Sequence, residues 1–276
     1  MANNQSDITI IEPRKIWSSL QWKELWRYRE LLRFLTVRDI KVRYKQTVLG
    51  GLWAILQPFM SMVVFTIFFG ILAKIPSDNI PYPIFVYTAL LPWQFFSNGI
   101  SNAANSVVAS SNLVSKVYFP RIIIPAASLG SGLLDFFVAF IILIVMMFHY
   151  GIYPGWGLFL LPLLMLGVII ATLGIGMMLS ALNVAYRDFR YVIPFLVQFW
   201  LFATPVIYPS SIIPEHWRWL INLNPMAGLV TSFRSSLLNT AFMWHDLLIS
   251  LSVSVVLFIA GIAYFTAMER RFADII

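Results

Sequence analysis

The sequence contains no cysteine, so neither a disulfide framework nor a thiolate metal centre can form. Charge is scarce: 11% of the 276 residues are Asp, Glu, Lys or Arg, against about 25% in an ordinary soluble domain. With 59% hydrophobic residues and a mean hydropathy of +0.80, the chain has too few charges to wrap its apolar runs in a polar shell, which disfavours a soluble α domain. The first 45 residues are polar and charged rather than a short basic stretch leading into a brief apolar core, so no secretory leader is expected. A Gly-x4-Gly-Lys-Ser/Thr phosphate loop and a His-Glu-x-x-His motif are both missing, and His149, His216 and His245 lie far apart. No catalytic residue, metal centre or cofactor of its own is therefore expected, and the chain does not read as an enzyme.

What is present is length of apolar sequence. Runs over about 49–73, 84–109, 126–148, 158–183, 192–208 and 247–268 each approach the roughly 20 residues that a helix needs to cross a hydrocarbon core of about 30 Å. They are too long and too continuously apolar for barrel strands, and in lipid only a helix otherwise satisfies the backbone. The expected fold is an all-α integral membrane protein with six spans, over residues 49–276, following a polar segment over 1–48. Of the 19 Lys and Arg residues, 16 fall before the first span, between alternate spans or after the last. Only Lys74, Arg218 and Arg234 fall in the opposite loops. This asymmetry puts both termini in the cytoplasm. The formal charge of +7 is thereby explained by topology, without nucleic acid as a partner.

Residues 14–46 carry Trp17, Trp22 and Trp26, with Leu25, Leu32 and Leu35 near helical spacing and Lys23, Arg27 and Glu30 on another face. That pattern predicts a cytoplasmic helix in the headgroup region, held to membrane lipids by Arg38, Lys41 and Arg43 beside Tyr44. It serves either as an anchor or as a gate beside a channel mouth. In the second span Asn98, Asn102 and Asn105 recur every third or fourth residue with Ser101 and Ser106 nearby. This row faces another helix or a polar path, because lipid would leave its amides unsatisfied. Asp135 is the lone acid inside a span, either a functional carboxylate or a shallow one reaching back to Arg121 or the surface.

The loop Ser111-Asn-Leu-Val-Ser-Lys-Val-Tyr-Phe-Pro-Arg121 reads as a short helix capped by Asn112 and stopped by Pro120, with Leu113, Val117, Tyr118 and Phe119 forming an apolar face. Residues 209–245 are too hydrophobic for a plain loop and too broken to span. Asn224-Pro225 predicts a helix over about 225–238, so short re-entrant or interfacial helices are expected on the outer side.

The stretch Val37-Arg-Asp-Ile-Lys-Val-Arg-Tyr-Lys-Gln-Thr-Val-Leu-Gly-Gly-Leu-Trp-Ala-Ile-Leu-Gln-Pro58 resembles the opening motif of the membrane subunits of polysaccharide-exporting ATP-binding cassette transporters. Further similarities follow in order at Leu91-Pro-Trp-Gln-Phe-Phe-Ser97, Lys116-Val-Tyr-Phe-Pro-Arg121, Ala181-Leu-Asn-Val-Ala-Tyr-Arg-Asp-Phe-Arg190, Thr204-Pro-Val-Ile-Tyr208 and Leu223-Asn-Pro-Met226. The resemblance implies a permease of the bacterial cytoplasmic (inner) membrane that pairs with a second copy of itself and with two separate nucleotide-binding ATPase subunits. ATP and Mg would bind in those subunits.

It also implies an ATPase-coupling role for Asn112, Lys116, Tyr118, Phe119, Pro120 and Arg121, with Arg187 and Asp188 on the same face. The missing phosphate loop agrees with hydrolysis in a partner. The implied cargo is a lipid-linked polysaccharide of O-antigen type, with capsule and teichoic acid as alternatives within the family. Sugars offer apolar CH faces to aromatic rings and hydroxyls to amides, so candidate channel residues are Trp53, Gln57, Phe59, Asn98, Asn102, Gln198, Trp200, Phe202 and Tyr208. Trp22, Trp26, Arg38, Lys41, Arg43 and Tyr44 are the gate candidates. A secondary transporter or channel is the rival from another class, and it would require repeats or paired buried ion ligands.

Overall fold

The computed structural model describes residues 26–45, 50–270 and 272. The expectations for residues 14–25, including Trp17 and Trp22, and residues 46–49 of the Val37–Pro58 motif lie outside the described residues. Among the described residues the structure is helical without strands, as expected where long apolar runs must satisfy their own backbone.

In chain order the elements are α1 (Arg29–Lys45), a short 3-10 turn leading into α2 (Trp53–Phe65) with a π-helical continuation to Leu72, and α3 (Tyr82–Ala109). The short α4 (Ser111–Lys116) precedes α5 (Ile123–His149), and a 3-10 turn introduces α6 (Leu161–Ala185). The rest is α7 (Phe189–Ala203), α8 (Glu215–Asn222), α9 (Pro225–Leu238) and α10 (Trp244–Glu269).

Among the described residues four helical segments are long and apolar enough to cross a membrane: Gly50–Leu72, Ile123–His149, Trp156–Ala185 and Trp244–Glu269. The 28-residue α3 has the length, but its Asn and Ser residues lower its hydropathy, and it sits at the centre of the bundle with most of one face sealed by neighbours. The apolar run expected over 192–208 is displaced: α7 begins at Phe189 and stops at Ala203, and residues 204–208 turn instead. Pro205 and the hydrogen bond from Val206 N to the Thr204 carbonyl hold that turn, so α7 has 15 residues, about 22 Å.

Two buried clusters organise the bundle. The larger one joins α3, α5, α6 and α9 through Phe85, Tyr87, Phe96, Leu143, Val168 and Phe233. The smaller one lies at the end where α1 and α4 meet the spans, and gathers Leu35, Val114, Phe119, Ala181, Val184, Phe265 and Phe272. Small residues set the closest approaches: Gly99 of α3 faces Thr172 of α6, and Gly174 of α6 faces the backbone of Phe258 and Gly261 on α10.

In a membrane, where lipid tails are as apolar as side chains, close backbone approach replaces hydrophobic exclusion as the driving force. A Cβ at Gly261 would fall on the Gly174 carbonyl, which is backbone and cannot rotate away. Gly261→Val is therefore expected to part α6 from α10 and cost about 1–3 kcal/mol. Thermal unfolding in detergent would read this, and an unchanged midpoint would contradict the contact.

The described part of the N-terminal helix is held by contacts within the protein. α1 packs lengthwise on the first turns of α5: Leu35 is buried against Ile123, Ile124 and Ala127, and the Thr36 hydroxyl donates to the Ala127 carbonyl at 3.4 Å. Leu31 and Leu32 join the same seam. On the opposite side Phe34 and Val37 remain exposed.

Candidate functional site

Asp135 defines the first site. It sits twelve residues into α5, about 18 Å from that helix's start. It does not reach back to Arg121, as one reading of the sequence had it. Arg43 Nη2 lies 2.7 Å from Asp135 Oδ2, and the Tyr44 hydroxyl donates to Asp135 Oδ1. Arg121 is engaged elsewhere, its guanidinium donating to the Glu269 carbonyl and its backbone N–H to Glu269 Oε1 at 3.1 Å. The parallel packing of α1 on α5 causes the exchange, because it carries residues 43 and 44 as deep as Asp135. Burial, followed by the adjacent carboxylate, pushes the Tyr44 phenol up, which keeps it a proton donor.

The asparagine row opens beside this pair. Asn98, Ser101, Asn102 and Asn105 face Arg38, Asp39 and Arg43 across a groove of about 540 Å3 between α1 and α3. Asn105 is partly engaged, since its Oδ1 accepts from Asn183 Nδ2 of α6 at 3.2 Å. Arg38 donates to its neighbour Asp39 at 2.9 Å. Deeper in, Gln57, Gln94, Asn98 and Asp135 surround a water-sized cavity of about 20 Å3. The small-residue row beside the asparagines, Gly99 and Ala103, packs on α6 instead. The two faces of α3 therefore divide between packing and a polar surface.

The other channel candidates separate by environment. Trp53, Gln57, Phe59, Gln198 and Phe202 are exposed on α2 and α7. Trp200 is committed: its indole N–H donates to Asn224 Oδ1 at 2.9 Å, and its ring meets Phe96 edge-on at 5.2 Å. Tyr208 donates to the Phe202 carbonyl at 3.1 Å. Trp200 thus fixes the C-terminal end of α7 to the residue before α9, and Tyr208 ties the turn after α7 back to that helix. Among the gate candidates, Trp26 is exposed under the Arg29 guanidinium, and Lys41 lies on the opposite side of α1 from Asp135, beside Phe34 and Val37.

The second site is the end of the bundle bearing α4. Asn112 does not cap that helix: it lies within the first turn, and Ser110 precedes the helix without a side-chain cap. Helix α4 stops at Lys116, and Val117 is extended, so Pro120 lies beyond an already finished helix. The expected aromatic face splits: Tyr118 is 78% exposed and Phe119 only 4%. Extended backbone at 117 sends successive side chains in opposite directions, which explains the division. Asn112, Lys116 and Tyr118 face outward, and so do Arg187 and Asp188 in the turn between α6 and α7. Val184 and Phe119 share one cluster, which brings the two segments to the same end.

Sequence reasoning missed Arg234, counting it as a loop cation. It is 5% exposed within α9. Its Nε donates to the Phe85 carbonyl at 3.2 Å, its Nη2 donates to the Pro205 and Val206 carbonyls at 3.0 and 3.1 Å, and its guanidinium covers the Phe85 ring at 3.7 Å. Its position in the middle of the helix predicted over 225–238 was the available signal. That helix forms at Pro225–Leu238, with Asn224 Oδ1 accepting from Met226 N at 3.0 Å.

Residues 30–238 match the ABC-2 type transporter family. The chain is 33% identical over 256 residues to the O-antigen export system permease protein RfbA of Myxococcus xanthus, covering 91% of this chain and 97% of that protein. It is 30% identical over 251 residues to RfbA of Klebsiella pneumoniae, covering 90% and 95%. To the polysialic acid transport protein KpsM of Escherichia coli it is 26% identical over 207 residues, covering 74% and 80%. With a family match over more than half its length and apolar helices that suit a bilayer, this multi-pass membrane protein belongs to the ABC-2 type transporter family.

Proposed function

We propose that the chain is the membrane subunit of an ATP-driven exporter that moves a lipid-linked polysaccharide of O-antigen type across the bacterial cytoplasmic membrane. The observation that carries this reading is the similarity, over nine-tenths of the chain, to O-antigen export permeases from two organisms. The weaker similarity to KpsM keeps a capsule-type glycan as the second reading. The chain takes no cofactor of its own; ATP and Mg bind two separate ATPase subunits. Both termini are cytoplasmic, following the distribution of Lys and Arg.

Two copies form the working permease. The resemblance to paired permeases supports this reading, and Phe195 and Phe199 of α7 with Phe68 and Ile71 after α2 are the exposed side chains available for the contact. ATP closes the ATPase pair, Tyr118 and Lys116 receive the movement with Arg187 and Asp188 beside them, and the bundle passes it to α1 through the cluster that joins Phe119, Val114 and Leu35. Exposed Trp53, Phe59 and Phe202 with Gln57 and Gln198 offer stacking surfaces and amides that hold a glycan weakly enough to let it slide. Co-expression with the candidate ATPase, copurification, and ATP hydrolysis with and without lipid-linked glycan test the reading. Copurification and stimulation by the glycan are expected; an ATPase that neither binds nor responds would remove it.

A further inference from the structure

The groove between α1 and α3 has a composition that neither packing nor lipid contact accounts for. One wall presents Arg43 and Arg38, the latter donating to the Asp39 carboxylate beside it; the other presents the amides and hydroxyl of Asn98, Ser101 and Asn102, and Ser128 and Ser131 of α5 lie between them. Its volume of about 540 Å3 falls in the roughly 300–1,000 Å3 range of small-molecule sites. At its inner end Arg43 is already held by an anion, the Asp135 carboxylate, which α5 supplies from within a membrane-spanning segment. A carboxylate there is costly and is tolerated because Arg43 and Tyr44 compensate it. A guanidinium accepts a phosphate with the same fork geometry that it uses for a carboxylate. A phosphodiester brings two non-bridging acceptor oxygens, one for Arg43 and one for Arg38, where it competes with the Asp39 carboxylate.

We propose that this groove binds the phosphate-bearing headgroup of a glycolipid, and that Asp135 is the internal anion which that phosphate displaces from Arg43. The inference rests on the exporter reading for the lipid-linked nature of the cargo and adds the recognition chemistry. The phosphate sits between Arg38 and Arg43, and the Asn98 and Asn102 amides meet hydroxyls of the adjoining sugar. With the groove empty, the Arg43–Asp135 pair pins the end of α1 to α5. With it filled, Arg43 turns to the phosphate and that tie is released, so headgroup arrival and movement of α1 become one event.

The test uses the full chain in phosphatidylcholine nanodiscs and a fluorescent disaccharide attached to an alkyl chain through a phosphodiester, followed by anisotropy. Competitors are the same alkyl disaccharide without phosphate, phosphatidylglycerol and inorganic phosphate. The phosphorylated glycolipid is expected to bind at least about tenfold more tightly than the phosphate-free disaccharide, the worth of one charge-assisted hydrogen bond, and more tightly than phosphatidylglycerol or inorganic phosphate, which offer no sugar to Asn98 and Asn102. Asp135→Asn retains the shape and the acceptor for Tyr44 but removes the rival anion, so binding should tighten by about tenfold. The double variant Arg43→Gln with Asp135→Asn leaves no stranded charge and should bind about tenfold more weakly than wild type. Asn98→Leu with Asn102→Leu should lose preference for the sugar while retaining affinity for phosphate.

A correctly folded Asp135→Asn protein that binds no more tightly than wild type would overturn the displacement. Equal competition by phosphatidylglycerol would make the groove a general anionic-lipid site, and equal competition by inorganic phosphate would remove the glycolipid; either defeats the proposal. Copurification with the ATPase, measured on the same preparations, separates these failures from failure of the exporter reading.

Discussion

Arg234→Leu is expected to lower the stability of the folded protein by about 2–6 kcal/mol, because two buried carbonyls lose the guanidinium that donates to them. The carbonyls of Pro205 and Val206 accept from Nη2 at 3.0 and 3.1 Å, and without the guanidinium each is left buried at about 1–3 kcal/mol. The Phe85 carbonyl suffers less, since the Thr88 hydroxyl also donates to it at 2.9 Å. Arg234 spans three elements: α9, α3 and the turn that ends α7. Its loss should therefore loosen the 204–208 turn together with the contact from the Tyr82 hydroxyl to the Ile207 carbonyl. Arg234→Lys restores little, because a single ammonium cannot reproduce a planar fork that reaches carbonyls on two elements. Thermal unfolding in detergent and proteolysis of the segment between α7 and α9 would measure the effect. A variant that melts with the wild type and resists cleavage equally would show that these carbonyls find water instead.

The second large effect separates neighbours. Phe119→Ala should cost about 3–5 kcal/mol by opening a cavity in the cluster of Leu35, Val114, Val184 and Phe265. Tyr118→Ala, at a ring that is 78% exposed, should change stability by no more than about 0.5 kcal/mol while weakening association with the ATPase or uncoupling hydrolysis from glycan. Unfolding midpoints paired with copurification distinguish the two. If Tyr118→Ala assembles and couples normally, the exposed ring has no docking role. If Phe119→Ala unfolds no earlier than wild type, the cluster joining α4 to α1 is not holding that end together.

This pair of residues also shows where sequence reading reaches its limit. The loop over 111–121 announced a short helix, and a short helix forms, but the direction of each aromatic depends on Val117 leaving helical geometry. Spacing carries no record of that change. The region before the last helix behaves in the opposite way: Asn224-Pro225 encodes its own cap and first turn, so a helix over 225–238 was legible locally and forms at Pro225–Leu238. Trp200 lies between these cases. Its place on an apolar helix was plain, but its hydrogen bond to Asn224 joins residues from separate elements.

The sequence alone determined the all-α membrane class, because scarce charge and long apolar runs leave the backbone no other partner than itself. Its ordered motifs also pointed to the exporter family. Only the tertiary structure decided which polar groups inside the bundle answer one another: Arg43 and Tyr44 with Asp135, Arg121 with Glu269, and Arg234 with the carbonyls of a distant turn. Periodicity records the face on which a side chain lies along its own helix. Pairing across helices depends on how far one helix slides along another, which here is set by contacts such as Leu35 on Ile123 and Ala127 and Gly174 on Gly261.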